Sequence, residues 1–160
     1  ARLLGTGITS DGFHLVAPDP SGQGNARAMT RALQTAGLQR SDITHINAHA
    51  TSTPVGDIAE SNAIRRTFGD ATDGICVTAT KSMTGHLLGA AGGLEAVFTV
   101  QALRDQISPA TLNLEQPMAA AEGLDLVRGA ARPMEITYAL SNGFGFGGVN
   151  ASALFKRWAA

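Results

Sequence analysis

Residues 85–106, GHLLGAAGGLEAVFTVQALRDQ, constrain the fold most strongly, because they predict a long helix that is apolar on nearly every side and therefore buried. Such a helix has to be covered on both sides, and a lone α/β layer of 160 residues covers it poorly. Glu95 and Gln101 interrupt the apolar run, which argues against a membrane span. The chain is therefore expected to form one helix-covered layer of a larger α/β structure.

Strand-like and helical segments alternate along the chain in the order β-α-β-α-β-α-β-β. Residues 21–38 predict a helix that ends at Gly37, and residues 57–69 predict a second helix capped by Asp57. The predicted strands are residues 2–10, 41–50, 74–81, 134–142 and 149–158. Residues 107–113 are predicted to be a connector and residues 117–123 a loop. This alternation predicts an α/β fold with a mixed, mainly parallel sheet covered by helices.

The composition excludes several classes of partner. The net charge of −1 gives no basic surface for nucleic acid or for anionic lipid. Cys76 is the single cysteine, so an internal disulfide is excluded and a reducing compartment is favoured. No signal peptide is recognisable at Ala1, and the expected location is cytoplasmic.

The glycine-rich stretch SNGFGFGGVN, residues 141–150, matches the dinucleotide-binding pattern G-x-G-x-x-G when it is read alone. A dinucleotide loop opens a helix and is followed about 20 residues later by an acidic residue. Here a strand-like segment follows, so the nucleotide-binding interpretation fails on context. Bare backbone beside a crevice can instead present N–H groups to an oxyanion.

Reactive side chains follow two of the predicted strands. His49 comes at the end of a strand and is followed by the hydroxyls of Thr51, Ser52 and Thr53, which could hold a polar ligand in a crevice. A hydrogen-bonded histidine beside a hydroxyl-rich turn explains the same residues equally well.

Lys81 and His86 lie between the next strand and the long predicted helix. The helix dipole and the Lys81 ammonium both disfavour imidazolium, so His86 is expected to be neutral and to donate a hydrogen bond to developing negative charge. A solvated lysine and a capping histidine are the alternative. Glu95, a carboxylate in an apolar helix, requires a partner such as Lys81, and a purely structural ion pair is as consistent with the sequence as a catalytic role.

Three motifs, NAHATSTPVGD, KSMTGHLLGAAGGLEA and SNGFGFGGVN, resemble those of elongating, type II β-ketoacyl-acyl-carrier-protein synthases, in the same order and spacing. The resemblance covers essentially the whole chain and implies the thiolase fold, with residues 1–160 as its C-terminal half. In this family the nucleophilic cysteine lies in the N-terminal half. Cys76 lies outside any nucleophile motif and is interpreted as a core thiol, so these residues alone are expected to be inactive.

The resemblance implies a decarboxylative condensation of malonyl thioester with an acyl thioester, both carried on the phosphopantetheine of acyl carrier protein. It implies that His49 and His86 donate hydrogen bonds to the malonyl thioester carbonyl, and that Lys81, with Glu95 as its buried partner, balances charge around His86. The other implied site residues are Asp57 in a supporting role, Thr51 and Thr53 for the pantetheine arm, Phe146 for the oxyanion hole and gate, and Asn47, Glu95, Ser141 and Asn142 beside a possible monovalent cation.

No cofactor and no catalytic metal site are implied, and the expected partners are acyl carrier protein, the N-terminal half and a second copy of the enzyme. Gly143 and Ala50 depart from the family pattern, which usually has serine and often has glycine there. Gly143 is expected to loosen the gating loop, and Ala50 to restrict positive φ. A non-catalytic chain-length-factor-like subunit is the alternative function. The paired histidines disfavour an initiating synthase, and the absence of cysteine from residues 141–160 disfavours a thiolase.

Overall fold

The computed structural model describes residues 1–158, which form an α/β structure around one six-stranded sheet with strand order β1-β8-β7-β2-β3-β5. The strands are β1 (Arg2–Ser10), β2 (His45–Asn47), β3 (Cys76–Thr78), β4 (Ile107–Ser108), β5 (Asp125–Leu126), β6 (Arg132–Pro133), β7 (Tyr138–Gly145) and β8 (Val149–Lys156). β2 pairs in parallel with β3 and β7, and β3 pairs in parallel with β5, whereas β8 is antiparallel to both β1 and β7. The expected mixed, mainly parallel sheet is confirmed.

The helices are α1 (Gln23–Ala36), α2 (Pro54–Phe68), α3 (Lys81–Thr84) and α4 (Ala91–Asp105). The α1 and α2 side of the sheet holds the larger core, in which Met29, Ile64 and Phe68 pack with Leu140 and Leu154. On the other side, Ala102 and Leu103 of α4 pack against Ile136 and Ala139. Side chains of β7 alternate between these two faces, as the period of two in a strand requires.

β1 and α1 approach each other closely because two glycines face the helix. A Cβ built on Gly7 would lie 1.9 Å from the carbonyl oxygen of Ala28, and one built on Gly5 would lie 2.5 Å from that of Ala32. α1 ends as the sequence predicts, at Gly37 in the left-handed conformation with φ 68°. The short side chains on both elements therefore fix the spacing of this layer.

The long apolar helix is shorter than the sequence predicts, and one of its faces is exposed in this chain. Gly85 has φ 72° and Leu88 has φ 54°, and both values interrupt helical geometry, so α4 begins at Ala91. Val97 in the middle of α4 is 50% exposed. The predicted start of this helix is therefore wrong, whereas its exposed face agrees with the expectation that a lone layer covers the helix poorly.

Three further sequence predictions need correction. α2 begins at Pro54 with Thr53 as its N-cap, so Asp57 lies in the first turn and is not the cap. The first glycines of the 141–150 stretch belong to β7, and the hairpin turn is confined to Phe146–Gly148. β4 is a two-residue strand inside the predicted connector, and β5 and β6 are two-residue strands in residues for which no element was predicted. Across residues 1–158, no helix combines the length and the hydropathy that crossing a membrane requires.

Candidate functional site

The candidate site lies where the parallel strands β2, β3 and β7 end at the same edge of the sheet. His49 follows β2, and Lys81, which opens α3, follows β3. The ring centroids of His49 and His86 are 5.4 Å apart in an edge-to-face arrangement. The sequence motifs that contain these three residues, though separated along the chain, therefore meet at the carboxyl ends of neighbouring strands, where α/β sheets bind ligands.

A buried ion pair supports this group of side chains. The Lys81 ammonium donates to Glu95 Oε1, and the two side chains are only 5% and 4% exposed. Burial raises the pKa of Glu95, and the hydrogen bond and charge of Lys81 partly offset that rise. The predicted Lys81–Glu95 contact is confirmed. Glu95 belongs to α4, which packs on the face of the sheet opposite to α1 and α2.

Lys81 also determines the protonation of His49. Its Nζ lies 3.1 Å from His49 Nδ1, and because an ammonium can only donate, Nδ1 must accept. Burial, followed by the charge of Lys81 and a contribution from His86, lowers the pKa of His49 to about 3. His49 is therefore a neutral imidazole at pH 7, with its remaining proton on Nε2 and available as a hydrogen-bond donor.

His86 is exposed, and its Nδ1 has a backbone partner. Its Nδ1 accepts a hydrogen bond from the backbone N–H of Leu88 at 3.3 Å, which again leaves the proton on Nε2. α4 begins five residues after His86, so the predicted helix-start position of His86 is wrong and the dipole of a long helix does not act on it. A local backbone turn, and not the helix, fixes the ring.

Glu60 of α2 is a site residue that the sequence reasoning missed. This buried carboxylate accepts hydrogen bonds from the backbone N–H groups of His49 and Ala50, at 2.9 and 2.8 Å, and from Asn142 Nδ2 at 3.1 Å. Ala50 has φ 24°, so the expectation that its side chain would restrict positive φ is wrong. Glu60 stabilises the backbone conformation that presents the His49 ring, and its position one turn before Ile64 on an apolar stripe was the available sequence signal.

A cavity of about 540 Å³ opens beside this cluster, lined by residues of α2, β3 and the 111–126 segment together with Lys81 and His86. Thr51 and Thr53 lie at its rim, with their hydroxyl oxygens 3.0 Å apart. Asp57 also lines the cavity, and burial raises its pKa while the backbone N–H groups of Ser52 and Thr53 partly offset the rise. The structure thus brings the two threonines and Asp57 together with the lysine and one histidine.

The glycine-rich turn is positioned separately from the ion pair. Phe144 packs against His49, with ring centroids 5.9 Å apart, whereas Phe146 is 78% exposed. Among the aromatic contacts of residues 1–158, His49 meets Phe144 and not Phe146. The sequence indicated Phe146 and gave no reason to select Phe144, which is therefore a second residue that the sequence reasoning missed.

The turn is tied to the loop after β1. Gly147 and Gly148 have φ 75° and 71°, conformations that favour glycine. The backbone N–H of Asp11 donates to the Gly148 carbonyl at 2.9 Å, and Asn150 Nδ2 donates to Asp11 Oδ1 at 2.7 Å. The Gly148 carbonyl, at the end of the Phe146 turn, is therefore held by the loop after β1.

Potential cation ligands are split between the two faces of the sheet. Asn47 and Ser141 are paired residues of neighbouring strands, and Asn47 Nδ2 donates to the Glu95 carbonyl at 3.4 Å. The Asn142 side chain lies on the other face, with Glu60 and Met29. Across the described part of the chain, His, Cys, Asp and Glu side chains form no group of three or more that could hold a metal ion.

Comparison with known proteins identifies relatives of this arrangement. Residues 1–115 match the family model described as beta-ketoacyl synthase, C-terminal domain. The chain is 46% identical over its full length to 3-oxoacyl-[acyl-carrier-protein] synthase 2 of Staphylococcus aureus strain COL, and 51% identical over 158 residues to the protein of the same name from Mycobacterium bovis. It spans 38% and 37% of the lengths of these relatives.

A solved structure gives the same result for the fold. The chain superposes with a TM-score of 0.94 and 30% identity on AntDE:AntF, a type II PKS acyl-carrier protein in complex with its ketosynthase bound to the hexaketide. The superposition covers 98% of this chain and 38% of that one. A near-complete match to less than two-fifths of a longer chain indicates that the fold described above is one part of the relative's structure.

Proposed function

Because the chain belongs to the β-ketoacyl synthase family, we propose that it is the C-terminal domain, residues 1–160, of a 3-oxoacyl-acyl-carrier-protein synthase. The proposed reaction is the decarboxylative condensation of malonyl-carrier protein with an acyl thioester, which extends a fatty acyl chain by two carbons. The observation that carries the proposal is the pair of histidine rings 5.4 Å apart, one of which contacts a buried lysine. The nucleophilic cysteine of the reaction is assigned to the N-terminal half of the full enzyme.

His49 and His86 are proposed to stabilise the enolate. Loss of carbon dioxide from the malonyl thioester leaves an electron pair that delocalises onto the thioester oxygen, and two N–H donors aimed at that oxygen lower the barrier. Both rings accept at Nδ1, which supports donation from both Nε2 atoms. A neutral donor also avoids protonating the carbanion before it attacks the acyl thioester.

Lys81 is proposed to act through His49, with Glu95 and Asp57 in supporting roles. Its contact with Nδ1 holds the His49 ring in one tautomer, and its charge adds to burial, the larger cause, in keeping that ring unprotonated. Glu95 neutralises the buried ammonium, and Asp57 contributes negative charge to the cavity wall. The ion pair therefore fixes the His49 tautomer on which the enolate step depends.

Phe146 is proposed to gate the site and to supply its backbone N–H to the oxyanion formed when the carbanion attacks the acyl thioester. The exposed ring and the positive-φ glycines that follow it support a turn able to change conformation. The absence of a side chain at Gly143 is proposed to give β7 additional freedom before this turn.

The threonine rim supports binding of the phosphopantetheine arm of acyl carrier protein. Thr51 and Thr53 expose paired hydroxyls at the mouth of a cavity that leads to Lys81 and His86. A relative's structure contains an acyl-carrier protein in complex with its ketosynthase, which supports the same class of partner here. Pairing with an N-terminal half and homodimer formation are proposed for the full enzyme.

A monovalent cation would fit next to the ion pair. Glu95 Oε2 is buried without a hydrogen-bond partner, and Asn47 and Ser141 lie on the same face of the sheet. These groups would hold the cation and, with it, the position of the Glu95 carboxylate. The proposed reaction needs no step at this ion.

The test is a full-length synthase that contains this chain, assayed for carbon dioxide release from malonyl-carrier protein. His49→Ala and His86→Ala should each lower the rate well over tenfold, the usual range for a positioned proton-handling group. Asp73→Ala, an exposed change outside the cavity, is the control and should retain the parent rate. Full decarboxylase activity in both histidine variants would refute the assigned roles, and inactivity of the parent would favour a chain-length-factor-like subunit.

A further inference from the structure

Asp57 brings an unused hydrogen-bond acceptor to the wall of the cavity. The residue lines the cavity of about 540 Å³, and its Oδ1 is buried without a hydrogen-bond partner among residues 1–158. Buried polar atoms are normally paired, so an exception needs a physical explanation. Burial also raises the pKa of this carboxyl, as expected where donors are in short supply. An unpaired acceptor in a cavity wall indicates a ligand that donates a hydrogen bond.

The other carboxylate among the cavity-lining residues, Glu60, is already engaged. One of its oxygens accepts from the backbone N–H of His49 and the other from that of Ala50. The backbone N–H groups of residues 52–53 stabilise the Asp57 carboxylate, and they face its second oxygen, because Oδ1 is unpaired. Asp57 Oδ1 is therefore the carboxylate oxygen of this wall that is available to a ligand.

Thr53 supplies a hydrogen-bond donor close to this acceptor. It is the N-cap of α2, where a threonine side chain normally bonds to the first turn, but it makes no such bond in the described helix. Its hydroxyl instead lies 3.0 Å from that of Thr51 at the cavity rim. Two paired hydroxyls use one of their protons between them, so one O–H remains to donate. Gly56 leaves room for this hydroxyl, since a Cβ there would lie 2.7 Å from Thr53 Oγ1.

We propose that Asp57 Oδ1 accepts a hydrogen bond from a secondary amide N–H of the phosphopantetheine arm, while the threonine pair donates to a carbonyl oxygen of the arm. The inference rests on the proposed function, which places the arm in this cavity. A secondary amide offers one donor and one acceptor, which match the free acceptor and the free donor of the wall. An ester or a hydrocarbon chain would leave Oδ1 unpaired, so Asp57 makes the site selective for an arm that contains amides.

The test measures binding of S-methylpantetheine, an unreactive probe of the arm, to a full-length synthase that contains this chain. Two analogues of the probe each carry an ester oxygen in place of one amide N–H, and ligand-observed NMR titration gives the three dissociation constants. One of the two analogues should bind at least about tenfold more weakly than the amide probe, the loss expected for one hydrogen bond to a charged group. Equal affinities, or no binding of any probe, would overturn the proposal.

Asp57→Asn tests which atom accepts the amide. The change keeps the size of the side chain and leaves its amide oxygen for the backbone N–H groups of residues 52–53, so a donor replaces Oδ1 in the cavity. The variant should bind the amide probe at least about tenfold more weakly and no longer distinguish it from the sensitive analogue. Asp73→Asn, the same change at an exposed position, is the matched control with parent affinities. Undiminished discrimination in Asp57→Asn would refute the assignment.

Thr53→Val is a second variant that leaves Asp57 in place. It keeps the shape of the side chain and removes the hydroxyl at no cost in capping bonds. All three probes should bind more weakly while the preference for the amide probe is retained, and loss of that preference would contradict the role of Oδ1. Carbon dioxide release from malonyl-carrier protein is measured separately. An inactive parent that still prefers the amide probe would refute the proposed function alone, and an active parent without this preference would refute this inference alone.

Discussion

Replacing Lys81 by methionine tests how the buried ion pair stabilises the site. The change keeps the length and most of the volume of the side chain but leaves Glu95 without its cation. The two side chains are 5% and 4% exposed, so the figures for exposed pairs do not apply. Removing one partner of a buried pair costs about 3–5 kcal/mol, because a charge is left in a poorly solvated place.

The cost of Lys81→Met should depend on pH in a defined direction. The pKa of Glu95 is already raised by burial and loses the offset that Lys81 provides. A carboxyl group whose pKa is raised by folding favours the folded state while it is protonated, and this contribution is lost as pH rises through the folded pKa. The Lys81→Met variant should therefore be close to the parent near pH 4 and fall progressively behind it up to pH 8.

The assay is urea unfolding of a full-length synthase containing this chain, followed at pH 5 and at pH 8. The double variant Lys81→Met/Glu95→Gln, in which no ionised group remains at the pair, should recover most of the loss at pH 8. Asp125→Asn removes the partner of the exposed Arg132 and is the control, with an expected change below about 1 kcal/mol. Equal stability of Lys81→Met and the parent at pH 8, or no recovery in the double variant, would refute the reasoning.

Three further predictions follow from the same geometry. His49 should remain neutral from pH 8 down to about pH 4, as followed by NMR of its ring carbons, because its pKa is lowered to about 3; titration near pH 6.5 would contradict this. Glu60→Gln should slow malonyl decarboxylation and destabilise the protein by about 1–3 kcal/mol in urea unfolding, because one carboxylate oxygen is replaced by an amide nitrogen that cannot accept a hydrogen bond. Gln34→Ala, on the exposed face of α1, is the control. Gly7→Ala should lower the unfolding free energy by at least about 1–3 kcal/mol, since its Cβ would overlap the Ala28 carbonyl, whereas Gly74→Ala has open space and should cost less than 1 kcal/mol, roughly the range of surface changes.

Local chemistry explains which parts of the fold the sequence predicts. α1 is predicted nearly to the residue because its small apolar residues recur at helical spacing and Gly37 ends it. The start of α4 is not predicted, because the left-handed conformation of Leu88 depends on its tertiary surroundings and leaves no local signal. β5 is equally hidden, since two residues become a strand only by pairing with β3, which is about 50 residues earlier in the chain.

The candidate site, too, could be predicted only where the signal lies in the local sequence. The Lys81–Glu95 contact could be predicted because a carboxylate inside an apolar helix demands a cation, and Lys81 precedes that helix in the same motif. The neutrality of His86 was expected from a helix dipole, yet the structure assigns the proton through the backbone N–H of Leu88. The roles of Phe144 and Glu60 could not be predicted, because they depend on which face of β7 and which face of α2 point towards His49, and packing decides this.

The arrangement around Lys81 explains how a buried cation can hold His49 without protonating it. An ammonium facing only His49 would be an uncompensated buried charge, whereas Glu95 neutralises it and holds Nζ within reach of Nδ1. The hydrogen bond at Nδ1 places the remaining proton on Nε2, and burial keeps the ring from gaining a second one. His86, outside the buried pair, obtains the same tautomer from a backbone N–H. Because His49 and His86 are held by different partners, a change at Lys81 should alter the pKa of His49 and leave the hydrogen bond between His86 and Leu88 unchanged.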